Sequence, residues 1–418
     1  MATTTRARIA SLDIIRGVAV MGILLMNIYA FALPTPAYAN PSSYGGDSGL
    51  DLLLWGIEFV FIDSKMRGLF SLLFGASTLL VIERARARED RPALRHYARM
   101  LWLLAFGLVH FWFIWWGDIL ALYAQCGLLL YLWRNSSVKV LRNWAIGLIG
   151  VSTILFNMNA LYFTSVQNGM IEMSASERAS FDTNVAAITS YFGDNDAAEA
   201  KDIARYRDGT YASIVDSRFV DERFKPFTNA LGLLPETLGI MLIGMALFRS
   251  GLLTGEWSSE RTRRWARNAF LIATPPLIAL AAWQVASGFA AMPVFWAAVA
   301  ASVPFDILMA VGWAALVTLW AQHRPDGSLQ RRVAATGRMA FTNYLTTSIV
   351  MTTLFYGYGG ALYASLGRAT LLLFVVAMWG LMLLWSKPWL ERFHYGPFEW
   401  LWRTLSRFRL QPFVRTAA

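Results

Sequence analysis

Gly17-Val-Ala-Val-Met-Gly-Ile-Leu-Leu-Met-Asn27-Ile-Tyr-Ala-Phe-Ala-Leu33 carries no charged side chain. As an α-helix it rises about 25 Å, close to the ~30 Å of a bilayer's hydrocarbon core. Asp13 and Arg16 stand at its leading end and Pro34 follows its last residue, so both boundaries are polar or helix-breaking. The run reads as a membrane-crossing helix. Arg6 and Arg8 upstream and Ala37-Tyr38-Ala39 downstream together imitate a secretory leader. A leader's apolar region is about 7–15 residues long, whereas this run is longer and is approached through Asp13 and Arg16, so the segment is expected to stay as an anchor.

Runs of the same kind recur along the chain. A composition of 56% hydrophobic and only 15% charged residues gives more apolar surface than a water-soluble domain can hide. A β-barrel would need ten-residue segments alternating apolar and polar, and no such period is visible. The expected fold class is therefore all-α, a polytopic integral membrane protein. The net charge of +10 alone would admit a nucleic-acid partner. The arginines, however, cluster between apolar runs, where they meet anionic lipid and fix orientation, so membrane lipids are the expected partner and nucleic acid is not. Cys126 is the single cysteine, inside a span, which leaves no disulfide and no thiol-metal site; it reads as a packing residue.

Sidedness follows from the arginines. Pro34 to Ser48 contains neither lysine nor arginine and is placed outside, whereas Arg84, Arg86, Arg88, Arg91, Arg95 and Arg99 are placed in the cytoplasm. The stretch from Leu50 to Ile82 then holds a short outer or re-entrant helix over Leu50–Ile62 and one crossing. Further crossings are expected near Met100–Trp116, Ile119–Trp133, Asn143–Phe163, Asn229–Phe248, Asn268–Ala286, Pro293–Trp320, Met339–Tyr358 and Thr370–Trp385. That makes about ten spans with both termini cytoplasmic, in a bacterial inner membrane. The organisation expected is a five-span bundle over 1–163, an extracytoplasmic cap over 164–228, a second five-span bundle over 229–390 and a basic, aromatic tail over 391–418 lying on the inner leaflet as an interfacial helix.

An ionisable group at membrane depth costs about 2.5–3.5 kcal/mol on insertion scales, so each needs a partner or a purpose. His110 lies in the outer half of the third span, eight residues before Asp118; an unbroken helix would put the two on one face about 12 Å apart. It reads either as a base or proton relay oriented by Asp118 or Tyr123, or as a buried histidine bonded to a neighbouring helix. Asp63, Lys65 and Arg67 form a second cluster, read either as an anion site for a headgroup or phosphate or as a self-neutralising break. Glu236 and Asp306 follow prolines, as site carboxylates or as structural partners for an arginine. Arg16 and Asn27 are three helical turns apart and share a face, which suits a phosphate-bearing ligand with an inserted tail; spacing alone favours the plainer reading, a snorkelling arginine and an interhelical amide.

Several runs together resemble one family. They are Ser11-Leu-Asp13-Ile-Ile-Arg16-Gly17, Asn27, Leu69-Phe-Ser-Leu-Leu-Phe-Gly75, Gly107-Leu-Val-His110, Gly117-Asp118-Ile-Leu-Ala-Leu-Tyr123-Ala, Gly337-Arg338-Met-Ala-Phe-Thr-Asn343-Tyr344-Leu and Gly396-Pro397-Phe-Glu399-Trp400-Leu-Trp402-Arg403. On these the chain resembles the YeiB-like family, the domain of unknown function numbered 418, over almost its whole length. Through Asp13-x-x-Arg16-Gly17 and Asn27 that family is distantly similar to transmembrane acyltransferases, the heparan-alpha-glucosaminide N-acetyltransferase group among them. The resemblance implies transfer of an acyl group from cytosolic acyl-coenzyme A to a small-molecule, glycan or lipid acceptor on the far side. It places Asn27 at the centre, with Arg16, and by extension Lys65 and Arg67, on the donor's phosphates. The external-loop histidine of those enzymes has no counterpart in Pro34–Ser48, so His110, backed by Asp118, is the substitute base, with Asp63, Tyr123 and Asp306 toward the acceptor and no metal. The rival classes are a transporter using His110 as a proton relay and a non-catalytic membrane scaffold; association with a second copy stays open.

Overall fold

The computed structural model describes the backbone of residues 2–88, 90–324 and 327–415, and the side chains of all of these except 2–10 and 167. Helix α1 (Ala2–Ala32) ends in two 3-10 turns, after which α2 (Gly49–Phe61) and α3 (Lys65–Ala87) are separated by a break at 62–64. The charged cluster thus falls at a break between a short helix and a long one. Ser64 takes a left-handed conformation there, φ 58°, which a continuous helix cannot contain. Next come α4 (Pro92–Val109), α5 (Leu120–Leu130) and α6 (Val138–Gln167). The cap region holds α7 (Ala175–Phe192), α8 (Asp196–Tyr206) and α9 (Tyr211–Val220), each opened by a Ser, Asn or Thr whose side chain accepts a backbone N–H of the first turn.

The second half begins with α10 (Lys225–Ser250) and α11 (Ser259–Ala286), followed by the short α12 (Ala291–Trp296). Then come α13 (Val303–His323), α14 (Ser328–Arg338), α15 (Ala340–Phe355), α16 (Arg368–Arg392) and α17 (Pro397–Arg407). The span expected as one piece over Pro293–Trp320 is broken: α12 passes into a π-helical turn, Ala297–Ala301, and α13 starts afresh. Pro304 is the reason, because in the first turn of a new helix its missing N–H has no partner to lose.

Eight helical segments among the described residues are long and apolar enough to cross a membrane: α1, α2 with α3, α4 with its following turn, α6, α10, α11, α13 and α16. The other two expected spans correspond to the shorter α5 and α15. α1 and α13 lie mostly inside the bundle, while α6, α11 and α16 are its rim. On α6 the exposed residues include Ile146, Val151, Ile154, Leu155, Met158 and Leu161, an apolar face suited to hydrocarbon and not to water.

The helices on either side of the cap interleave. α1 packs against α13, α14, α15 and α16, and α10 against α3, α5 and α6, so the five-and-five division is one of chain order within a shared core. α3 and α10 touch backbone to backbone: a Cβ at Gly75 would overlap the Met241 carbonyl, and one at Gly244 the Leu72 carbonyl. The tail holds α17 and is tied to the bundle. α16 runs on to Arg392, and α17 docks on α4 and α15, with Trp402 Nε1 donating to the Arg99 carbonyl at 2.9 Å. The Glu399 carboxylate accepts the backbone N–H groups of Phe341 at 2.8 Å and Thr342 at 3.0 Å, capping the start of α15.

Candidate functional site

α4 does not continue past Val109. His110–Ile114 form a π turn, Trp115 is extended, and the chain reverses through Gly117-Asp118 into α5. The reversal is tight enough that a Cβ at Gly107 would meet the Ala121 nitrogen. The 12 Å expected for a continuous helix is thereby replaced by a hydrogen bond: His110 Nδ1 lies 2.8 Å from Asp118 Oδ2. The other carboxylate oxygen accepts the Ala121 N–H at 2.8 Å, so the start of α5 holds the aspartate in place. Both side chains are 1% exposed. An ionised Asp118 only accepts, which assigns the proton to Nδ1 and leaves a lone pair on Nε2. That Nε2 is buried without a partner among the described residues.

Around the pair lie Tyr344 of α15, 5.2 Å between ring centroids, and Trp115 at 6.2 Å. Trp115 stacks on Phe31 of α1 at 3.9 Å. Tyr344 and Phe31 in turn line a slot with Asn27, Val20, Leu24 and Ser348. Asn27 is only half-buried and makes no hydrogen bond within the described residues, so its amide is free for a ligand. The slot offers about 10 Å³ to the centre of a water molecule, room for one water and no more in this conformation.

Arg16 belongs to the far end of the same helix. It pairs with Asp13 at 2.8 Å and reaches Ser77 of α3 at 2.9 Å. Arg99, Arg403 and Arg407 gather around it within electrostatic reach of one another. Arg99 lies over the Trp402 ring at 4.1 Å and Arg403 over Tyr395 at 4.6 Å, and neither guanidinium has a carboxylate partner among the described residues. Burial lowers the Arg403 pKa, and Arg407 and Arg16 add to it against the opposing Tyr395 and Glu399. Outward from this cluster are two adjoining clefts of about 330 and 340 Å³, bounded by Arg91, Arg95, Arg407 and Arg409 with Asp90. The rise from Arg16 to Asn27, and from Arg99 to His110, is about 16 Å along each helix.

The remaining sequence candidates lie elsewhere. Lys65 Nζ is 2.6 Å from Asp306, and Arg67 is 3.0 Å from Glu236, so each cation of that cluster already has a buried carboxylate. Asp63 sits in the α2–α3 break beside them, which leaves no positive surplus for an anion there. Tyr123 does not reach His110; its hydroxyl is 2.6 Å from Ser71 and donates to the Arg67 carbonyl at 3.2 Å. Cys126 is buried and free, in the packing position expected of it. Arg99, Arg403 and Tyr344 are the site residues that sequence spacing did not single out. Their positions in the Gly337 and Gly396 runs and at the end of the arginine series were the available signal.

Comparison with known proteins fixes the family. Residues 247–409, which include Tyr344 and Arg403, match the family model described as Protein of unknown function (DUF418). The Uncharacterized protein YeiB of Escherichia coli K12 is 34% identical over 410 residues, covering 96% of this chain and 96% of YeiB. The chain belongs to the YeiB-like DUF418 family. A second full-length relative, the Uncharacterized protein YxaH of Bacillus subtilis 168, is 30% identical over 99% of this chain and 98% of its own length. An Uncharacterized 39.9 kDa protein in the amylase 3' region of Bacillus acidopullulyticus is 36% identical over 124 residues, 29% of this chain and 33% of its own. No solved structure matches the family member described here.

Proposed function

We propose that this DUF418 protein is a ten-span inner-membrane acyltransferase with both termini in the cytoplasm, moving an acyl group from cytosolic acyl-coenzyme A to an extracytoplasmic or lipid-linked acceptor. The observation that carries the reading is the buried His110–Asp118 pair with its unpartnered Nε2 beside the Asn27 slot. A histidine held by a carboxylate through Nδ1, with Nε2 open, is the arrangement of a general base. In the reaction Nε2 takes the proton of the acceptor's hydroxyl or amine as that atom attacks the thioester carbon. The oxygen of the tetrahedral intermediate is met by the Asn27 amide N–H. When the C–S bond breaks, the imidazolium returns its proton to the leaving thiolate.

The donor's charge has a place at the other end. The outer clefts, at about 330–340 Å³, are of the size of small ligand sites, and Arg99, Arg403 and Arg407 lead from them toward the slot. The ~16 Å to Asn27 and His110 is a distance that a pantetheine arm spans. Arg16 joins these arginines as a phosphate ligand in place of the neutralised Lys65 and Arg67. The one-water slot means that Tyr344 and Phe31 must part for an acyl group to enter, so the structure corresponds to a closed state in this reading.

Purified protein in lipid nanodiscs, given radiolabelled acetyl-coenzyme A and a panel of glycan and lipid acceptors, should release free coenzyme A thiol. Turnover should fall about 10²–10⁴-fold in His110→Ala and about 10²–10³-fold in Asn27→Ala. Arg99→Gln should raise KM for the donor with kcat less affected. Absence of thiol release across the panel, together with proton-coupled solute flux in liposomes that His110→Ala abolishes, would instead establish the transporter reading.

A further inference from the structure

At the cap end, one fully buried guanidinium and one part-buried guanidinium carry donors with no partner among the described residues. Arg218 of α9 is 1% exposed, and both its Nε and its Nη2 are buried without a hydrogen-bond partner among the described residues. The same two atoms of Arg205, on α8, are also unpartnered. Nε–H and Nη2–H point the same way from one edge of the guanidinium, the fork that receives a carboxylate side-on. Both guanidiniums lie by one ring: Cζ is 5.2 Å from the Tyr206 centroid for Arg205 and 6.0 Å for Arg218. Tyr206 is walled by Tyr356 at 4.9 Å and Tyr363 at 5.3 Å, and the Tyr356 hydroxyl, fully buried, also lacks a partner. Five orphaned donor groups thus meet in one place, where native interiors leave few.

The charge count agrees. Arg205 is neutralised by Glu222 at 2.8 Å through Nη1, and that carboxylate is shared with Lys225 at 3.2 Å. Asp202, the next acid, accepts the Thr35 N–H at 2.8 Å and keeps its charge within electrostatic reach of Arg205, but it makes no ion pair with Arg218 among the described residues. Arg218 has no carboxylate in any ion pair of the described residues. A buried, uncompensated cation is among the most unfavourable features a protein can carry, and a bound monoanion resolves it.

We infer that the space between Arg218, Arg205 and Tyr356 is a binding site for a carboxylate-bearing ligand, enclosed by the cap. The inference stands apart from acyl transfer, since it needs no donor and is read by binding alone. Its position links it to the His110 turn, because α9 packs there: the Tyr211 hydroxyl donates to the Phe113 carbonyl at 2.9 Å and Phe219 meets Trp112 at 5.3 Å. A ligand held by Arg218 therefore touches the element that shapes the dyad.

The test is thermal unfolding of the full-length protein in detergent, with acetate, phosphate or chloride titrated at constant ionic strength. Acetate should raise the melting temperature saturably, by mass action on the folded state, and more than either other anion at equal concentration. Arg218→Met should abolish the acetate response and, with no anion present, melt no lower than wild type, because it removes an unpaired buried charge. Arg218→Lys, which keeps the charge but loses the fork, should respond at least tenfold more weakly in acetate affinity, and it serves if Arg218→Met fails to fold. An equal or larger response to chloride or phosphate overturns the carboxylate assignment. No response to any anion, as when water fills the space, overturns the site itself.

Discussion

His110 and Lys65 are both about 1% exposed and both bonded to an aspartate, yet the two pairs do opposite things. Lys65 is committed: its ammonium meets Asp306 and the Phe59 carbonyl, so its charge is neutralised and two of its three donors are taken. His110 is open, with one ring nitrogen committed and one free. Lys65→Met or Asp306→Asn alone should lose about 3–5 kcal/mol, because each strands the other's buried charge or polar group. The double variant Lys65→Met/Asp306→Leu should recover most of that loss in thermal unfolding. A double variant as unstable as the worse single one would mean that the pair binds something beyond itself. The value of charge as a sequence signal is bounded by the same contrast. Asp63, Lys65, Glu236 and Asp306 were legible from the run of apolar neighbours, Glu58 on α2, which accepts the Tyr29 hydroxyl at 2.8 Å, was not singled out, and the pairings were hidden because Asp306 and Glu236 lie more than 160 positions from their partners.

At the scale of elements, α17 controls α15. Glu399 supplies acceptors to two backbone N–H groups at the start of α15 and to the Thr342 hydroxyl, and Tyr344 sits within the first turn or so above them. Glu399→Ala leaves those donors without their partner and should cost about 1–2 kcal/mol of stability. In an enzyme it should also lower turnover through the displaced Tyr344, with a smaller effect than His110→Ala. Unchanged melting would show that α15 is held by packing alone. The long apolar helices were legible in place, with ends off by as much as eight or nine residues at the starts of α4 and α11, because lipid leaves the backbone few alternatives to a helix but arginine-bearing turns continue it beyond the apolar run. The departures from regular helix were not. The π turn at His110 inserts an extra residue that apolar patterning does not record, and together with the reversal through extended Trp115 and Gly117-Asp118 it converts a 12 Å separation into a 2.8 Å hydrogen bond. The docking of α17 was hidden for a different reason: a basic, aromatic helix has the same composition on a leaflet as against a bundle.

For the molecule as a whole, the functional reading depends on which side of the membrane each end occupies. The arginines of the α3–α4 connection, the α17 cluster and the outer clefts share one end, and the cap with Arg205 and Arg218 lies at the other. Lysine and arginine stay with the cytoplasmic loops, so the clefts should face the cytosol, where acyl-coenzyme A is made, and the cap should face away. Single-cysteine labelling in intact cells tests this directly, and the native Cys126, being buried, contributes little background. Arg88 and Glu172 are both exposed, one at each end. A membrane-impermeant maleimide should label Glu172→Cys once the outer envelope is permeabilised, and Arg88→Cys only after the inner membrane is disrupted. The reverse pattern would put the arginine clefts outside, away from any cytosolic thioester, and the donor path from Arg99 to His110 would have to be abandoned even if the His110–Asp118 pair proved catalytic.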